Sequence, residues 1–168
     1  MMEPLCKKRK ASNRWASTES GAVHFFARQV MLVEGQEDLI AVTATLMKAG
    51  RIDRRVEEIE WSVIVCGGKQ SIPFFQRVLN AFAIPYGVLH DLDMKDAMSE
   101  DEQRSATEEN TRIAALAGPR RVSTYPVKLE ASLGLTKHFR DQYDAHRFFL
   151  DADNITPEVQ TIIEEAFG

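Results

Sequence analysis

Short apolar runs alternate with segments of helical spacing along this chain, and that alternation leaves few folds open. The runs QVMLV, WSVIV, YGVLH and RVSTY, at 29–33, 61–65, 86–90 and 121–125, have the length of strands and are rich in β-branched residues. Between them, apolar residues recur every three or four positions, as on one face of a helix. Strand and helix in regular alternation predict a parallel sheet with helices packed on it.

The segments of helical spacing have recognisable ends. Gly50 suits the C-terminus of the first, Ser99 with Glu102 forms a capping box for the third, and Pro157 suits the first position of the last. We predict helices over about 37–49, 72–82, 99–117, 135–150 and from 157 onward. The predicted fold class is α/β, a Rossmann-like parallel four-stranded sheet flanked by helices, with further helices at the C-terminal end, in one domain over 23–168.

Residues 1–22 are polar and contain a basic run from Lys7 to Lys10. We interpret them as a flexible N-terminal arm, either a disordered tail or a cloning remnant, with a nuclear-localisation or nucleic-acid-binding arm as the alternative. Cys6 and Cys66 make neither a disulfide framework nor a metal-binding spacing, so a reducing, cytoplasmic setting is expected. No apolar run approaches the ~18–20 residues that span a bilayer, so no membrane association is expected.

The net charge of −4 limits how this chain could bind nucleic acid. A domain that binds nucleic acid through its own surface alone is usually basic. Clustered carboxylates that await metal ions would account for part of the negative charge. A partner domain could supply the missing basic surface.

Charged or glycine-rich turns follow all four predicted strands. In an open parallel sheet, ligands bind beyond the carboxyl ends of the strands, which meet at one edge. The residues that this rule brings together are Glu34 and Gly35 after the first strand, Gly67, Gly68 and Lys69 after the second, Asp91 and Asp93 after the third, and Lys128 and Glu130 after the fourth.

Carboxylates gathered at one edge repel each other unless a cation lies among them. An all-oxygen site suits Mg²⁺ or Mn²⁺. Asp91 and Asp93 would lie on the same side of a continuing strand, so both could reach one ion. Such ions would bridge phosphate oxygens and activate water. The Gly67–Gly68 turn would let backbone approach a phosphate, and Lys69 or Lys137 could neutralise developing charge.

The order Glu34-Gly35, Gly67-Gly68-Lys69 and Asp91-Leu92-Asp93, each after a strand, resembles the Toprim (topoisomerase–primase) domain. The stretch HFFARQVMLVEGQED over 24–38 and the Ile84-Pro85 step before the third strand are similar to the overcoming-lysogenization-defect (OLD) family of nucleases. In that family a Toprim domain usually follows an ABC-type ATPase. The resemblance covers roughly residues 23–150.

The resemblance implies a metal-dependent DNA endonuclease or nickase, with RNA as the alternative substrate, that acts in phage defence or DNA processing. It implies two Mg²⁺ or Mn²⁺ ions. The residues that it assigns are Glu34, Asp91 and Asp93 as catalytic metal ligands, Glu37 or Asp38 and Glu130 as further ligands, Lys137 as a late catalytic lysine, and Gly35, Gly67, Gly68 and Lys69 against the phosphate.

The sequence departs from the family pattern because it contains no Walker A motif, G-x-x-x-x-G-K-S/T. We therefore expect a stand-alone Toprim protein, a truncated relative or an excised piece, with a separately encoded ABC-type ATPase as a candidate partner and a homodimer left open. One alternative function is a non-catalytic Toprim module that binds a partner ATPase or nucleic acid. Another is a haloacid-dehalogenase-type phosphatase, but that family's Asp-x-Asp follows its first strand and has Thr or Val where this chain has Lys95.

Overall fold

The computed structural model describes residues 28–95 and 97–168. Four strands in this range, β1 (Gln29–Val33), β2 (Trp61–Val65), β3 (Tyr86–Asp91) and β4 (Val122–Tyr125), form one parallel sheet. Their order across the sheet is β2-β1-β3-β4, so β1 and β3 are central. The predicted arm over 1–22 lies outside the described residues, as does the 24–27 part of the family-like stretch.

Helices cover both faces of this sheet. They are α1 (Gln36–Lys48), α2 (Ile72–Ala81), α3 (Glu100–Ala117), α4 (Leu129–Ser132), α5 (Gln142–Phe149) and α6 (Pro157–Phe167). The predicted α/β fold with a four-stranded parallel sheet is confirmed in these residues. None of the helices in the described part of the chain is long and apolar enough to cross a bilayer.

Each face of the sheet has its own apolar core, because successive strand residues point to opposite faces. Met31, Val33 and Leu89 lie in the core shared with α1, α5 and α6. Leu32 and Val88 lie in the core shared with α2 and α3. Burial on both faces accounts for the nearly continuous apolar runs by which the strands were predicted. It also leaves the carboxyl edge of the sheet as the place where polar side chains collect.

The prediction of one helix over 135–150 was wrong in its first half. Gly134 ends the turn after α4 with a φ of 75°, and residues 135–141 form neither helix nor strand. α5 begins only at Gln142, after Asp141 caps it by accepting a hydrogen bond of 2.9 Å from the Asp144 amide. Leu135 still packs against the core without being helical. In this segment the spacing of apolar residues therefore reflects which side chains are buried, and it does not indicate a helix.

Candidate metal centre

Glu34 follows β1 directly and is tied to the neighbouring central strand. Its Oε1 accepts a hydrogen bond of 2.8 Å from the main-chain amide of Asp91, at the end of β3. The pKa of Glu34 is raised above its usual value, chiefly because the side chain is buried. The register of the two central strands therefore fixes one carboxylate oxygen at the edge of the sheet.

Asp38 lies in the first turn of α1 and is only 7% exposed. Its Oδ2 accepts a hydrogen bond of 2.8 Å from the main-chain amide of Gly35, at the entrance to the helix. Burial and then the charges of Glu34 and Glu37 raise the pKa of Asp38 to about 7. A Cβ at Gly35 would lie 2.8 Å from a carboxylate oxygen of Glu37, so the glycine leaves room for that side chain.

Asp91 connects the third strand to the segment after the fourth. Its Oδ1 accepts a hydrogen bond of 3.1 Å from the amide of Leu129, the first residue of α4. Glu130, the next residue, accepts a hydrogen bond of 3.3 Å from the amide of Phe139 and lies 3.3 Å from Nδ1 of His138. The pKa of Asp91 is raised to about 8, chiefly by burial and then by the charges of neighbouring carboxylates.

These carboxylates line one cavity of about 560 Å³ at the carboxyl edge of the sheet. Five acidic side chains face it, together with the cation of Lys128, and all five were predicted from the sequence: Glu34, Glu37, Asp38, Asp91 and Glu130. In four of them one carboxylate oxygen accepts a hydrogen bond from a main-chain amide, so the backbone fixes the position of that oxygen. We refer to this space as the carboxylate cavity.

The donors of the carboxylate cavity fit hard divalent cations, because Mg²⁺, Mn²⁺ and Ca²⁺ prefer carboxylate oxygens. Burial, and then the charges of neighbouring carboxylates, raise the pKa values of Asp38 and Asp91, and a bound cation would offset both effects. As they stand, however, no three acidic, histidine or cysteine side chains within residues 28–95 and 97–168 meet closely enough to chelate one ion. Binding would therefore require side-chain rotation within the cavity.

Asp93 does not continue the strand, and the expectation that it shares a side with Asp91 was wrong. β3 ends at Asp91, and Asp93 has a φ of 60°, in the left-handed region. Its carboxylate lies 3.1 Å from Nζ of Lys69 and 3.5 Å from Nζ of Lys128. Asp93 and Lys69 line an adjoining pocket of about 390 Å³ and not the carboxylate cavity.

The Gly67–Gly68 turn lines both pockets, but its amides already have an acceptor. Both donate hydrogen bonds of 2.9 Å to the main-chain carbonyl of Glu34. The φ values of 78° and 120° explain why glycine occupies these positions. The turn therefore joins the ends of β1 and β2, and a phosphate would compete with this bond for the same amides.

Comparison with known proteins relates the part of the chain that forms this edge of the sheet to a protein family. The profile of the family described as "Overcoming lysogenization defect protein-like, TOPRIM domain" matches residues 25–93, which include Glu34, Asp91 and Asp93. The chain is also 34% identical to an OLD nuclease of Thermus scotoductus over 127 residues. It carries an OLD-type Toprim domain.

The similarity covers different shares of this chain and of the related proteins. The alignment with the Thermus scotoductus protein covers 70% of this chain and 24% of that protein's length. The C-terminal region of the Burkholderia pseudomallei OLD protein has a similar structure, with a TM-score of 0.50 at 20% identity over 86% of this chain and 83% of that chain. The second likeness shows that the Toprim fold is shared.

Several residues of this Toprim domain were given no role from the sequence. Lys128 follows β4 and lines the carboxylate cavity, and its place at a strand end was the signal for it. Nδ2 of Asn110, in the middle of α3, donates a hydrogen bond of 3.0 Å to the carbonyl of Leu92, and no motif marks it. The fully buried Tyr125 hydroxyl has no hydrogen-bond partner within the described residues.

Lys137, which was matched to a late catalytic lysine, does not line the carboxylate cavity. It is exposed and lies in a neighbouring groove with Arg140 and Arg147. His138, the next residue, lines both spaces. In this Toprim domain the cation that lines the carboxylate cavity is Lys128, while Lys137 lies beside it.

Proposed function

We propose that this Toprim domain is the catalytic part of a metal-dependent nuclease that cuts phosphodiester bonds of DNA. The observation that carries the proposal is that five carboxylates line one cavity at the carboxyl edge of a parallel sheet. The similarity to a protein named OLD nuclease supports the same class of activity. Ligands of open α/β sheets bind at this edge.

The charge of the carboxylate cavity fits two divalent ions. When ionised, its five carboxylates and one lysine carry −5 + 1 = −4. Glu34, Asp38, Asp91 and Glu130 each anchor one oxygen on an amide, so the second oxygen of each is the natural ligand atom. When bound, Mg²⁺ or Mn²⁺ would supply charge stabilisation at phosphate oxygens and a water of lowered pKa.

The two lysines around Asp93 have different proposed tasks. Lys128 lines the carboxylate cavity, so its ammonium group can neutralise a phosphate oxygen there. Lys69 is buried and donates a hydrogen bond of 2.6 Å to the carbonyl of Asp91, so it positions the turn after β3. For Asp93 to act as a ligand, its carboxylate would have to exchange these ammonium groups for an ion.

The test is cleavage of supercoiled and linear DNA by the purified chain with Mg²⁺ or Mn²⁺, with RNA as a further substrate. Wild type is compared with Glu34→Gln and Asp91→Asn, and with Glu108→Gln as a control from the exposed face of α3. We expect metal-dependent cleavage that the first two substitutions reduce by about a hundredfold or more, and the control leaves intact. No metal-dependent cleavage, with or without a supplied ABC-type ATPase, would overturn the proposal.

A second candidate is a non-catalytic Toprim module that binds a partner ATPase or nucleic acid. The observation that favours it is the pairing of Asp93 with Lys69 and Lys128, which withholds one predicted ligand from the cavity. This candidate predicts DNA or ATPase binding that survives Asp91→Asn, without cleavage in any metal. The cleavage test therefore separates the two.

A further inference from the structure

A groove of about 570 Å³ adjoins the carboxylate cavity on the side of α5. His138 and Phe139 line both spaces, so the groove and the cavity are continuous. We call it the basic groove, and its remaining lining residues are Leu135, Lys137, Arg140, Asp144, Arg147 and Phe148. It lies between the irregular segment 135–141 and α5.

The charge of the basic groove is opposite to that of the cavity. Three permanent cations line it, Lys137, Arg140 and Arg147, against one carboxylate, Asp144. Asp144 is paired with Arg140 at 3.2 Å, and the hydrogen bonds from Arg140 lower its pKa. All three cations are exposed, so their charges face solvent. A chain of net charge −4 therefore places positive charge directly beside its acidic cavity.

The floor of the basic groove is aromatic. The rings of Phe139 and Phe148 are half-buried, with centroids 5.5 Å apart and planes inclined at 59°. Phe149 packs edge-on behind Phe148 and is buried. Cations over an aromatic floor are the surface chemistry by which proteins hold single-stranded nucleic acid, with phosphates on the cations and bases or sugars on the rings.

We propose that the basic groove holds the nucleic-acid strand next to the scissile phosphate, with Lys137 and Arg147 contacting its flanking phosphates. The inference rests on the proposed nuclease function, since the carboxylate cavity supplies the position of the scissile phosphate. It gives Lys137 a binding role outside the cavity. It also explains how an acidic domain can attract a polyanion, since the strand is held where the local charge is positive.

The experiment measures binding of short fluorescent single-stranded DNA by anisotropy across a salt series. The full chain carries Asp91→Asn to prevent cleavage, and Mg²⁺ is present. The side-chain oxygen of asparagine can accept the hydrogen bond that Oδ1 of Asp91 accepts from the Leu129 amide, so we expect the fold to be retained. The groove variant adds Lys137→Ala and Arg147→Ala. The control adds Arg54→Ala and Arg55→Ala, which remove two exposed positive charges from the segment between α1 and β2. These two arginines line a pocket that shares no lining residue with the basic groove or the carboxylate cavity.

We expect the groove variant to bind about tenfold more weakly and to lower the slope of log affinity against log salt by about 1 to 2. The control should match the parent, and all three proteins should unfold at the same temperature. Equal losses in both variants, no loss in either, no DNA binding by the parent, or tighter binding of polyglutamate than of DNA would each overturn the groove.

Binding and cleavage separate this inference from the nuclease proposal. If the wild type cleaves DNA with metal and the groove variant binds DNA as tightly as its parent, the strand-binding role of the basic groove is overturned and the nuclease proposal stands. If DNA binding depends on Lys137 and Arg147 but no added metal ion supports cleavage, the basic groove is supported as a nucleic-acid-binding surface and the nuclease proposal is overturned.

Discussion

The main-chain amide of Asp91 donates a 2.8 Å hydrogen bond to the carboxylate of Glu34. This bond joins the ends of the two central strands, whose pairing of Val33 with Leu89 brings both residues to the same edge. The sheet register, which the apolar cores fix, therefore also fixes the spacing of two candidate metal ligands. Substitution of a candidate ligand at this edge need not disturb the apolar cores, so its effect on metal binding can be measured in a folded protein.

Lys69 should contribute more to stability than Lys128, although both contact Asp93. The Lys69 side chain is 5% exposed and bonds to the Asp91 carbonyl as well, while the Lys128 side chain is 30% exposed and lies farther from the Asp93 carboxylate, at 3.5 Å. We expect Lys69→Met to lower the free energy of unfolding by about 2 kcal/mol, and Lys128→Met by less than about 1 kcal/mol. Urea unfolding measures both, and equal costs would contradict the structural ranking.

Asn110 should hold the turn between Asp91 and Asp93 in place. Its side-chain amide donates to the carbonyl of Leu92, the middle residue of that turn. Replacing it with alanine removes one hydrogen bond, worth about 1 kcal/mol, so the turn should open more often. Hydrogen exchange at the amides of residues 92 and 93 should accelerate in Asn110→Ala and not in Thr111→Ala, a neighbouring exposed position on α3. Equal exchange in both variants would contradict this role.

The free energy of unfolding without metal should fall as pH rises through neutrality. The folded state holds protons on Asp38 and Asp91 up to pKa values of about 7 and about 8, against an ordinary value of 3.8. The stability linked to these protons is complete below the ordinary value and is lost as pH rises through the folded values. His90 acts in the opposite sense, because burial lowers its pKa to about 4, so its contribution is lost in acid.

A window between about pH 7 and about pH 8.5 isolates the carboxylates best, because there His90 is mostly neutral and Cys66 mostly protonated in both the folded and the unfolded state. Urea unfolding in EDTA should show a decline with pH that Asp91→Asn reduces and that added Mg²⁺ reverses. A decline of the same size in wild type and Asp91→Asn would show that Asp91 is not its source.

The sequence predicted those parts of the fold that depend on repeating patterns. Apolar runs such as Gln29–Val33 are typical of strands in a sheet whose two faces are both covered, and the carboxyl ends of parallel strands meet at one edge. Glu34 and Asp91 could therefore be placed together before any coordinates were known. The predicted helix over 135–150 was wrong in its first half. Leu135 is apolar because it packs against the core, while Gly134 and Asp141 determine where the helical backbone ends and begins.

The course of the chain beyond the strand ends was not predictable from pattern. Asp93 follows Asp91 at the spacing of a strand, but its left-handed φ turns the backbone, so its carboxylate contacts Lys69 and Lys128. Asn110 reaches the same turn from α3, 18 residues away in sequence from its acceptor. Contacts of this kind depend on how α3 packs across the sheet, which no local spacing records.

Equilibrium binding of Mn²⁺, measured by titration calorimetry at about pH 8, tests the carboxylate cavity as a cation site most directly. We expect wild type to bind two ions, Glu34→Gln and Asp91→Asn to weaken binding by about tenfold or more, and Glu108→Gln, from the exposed face of α3, to match wild type. Affinity should also rise with pH as Asp38 and Asp91 lose their protons. The absence of Mn²⁺ binding, or equal affinity in wild type and Glu34→Gln, would contradict the assignment of this cavity as the metal centre.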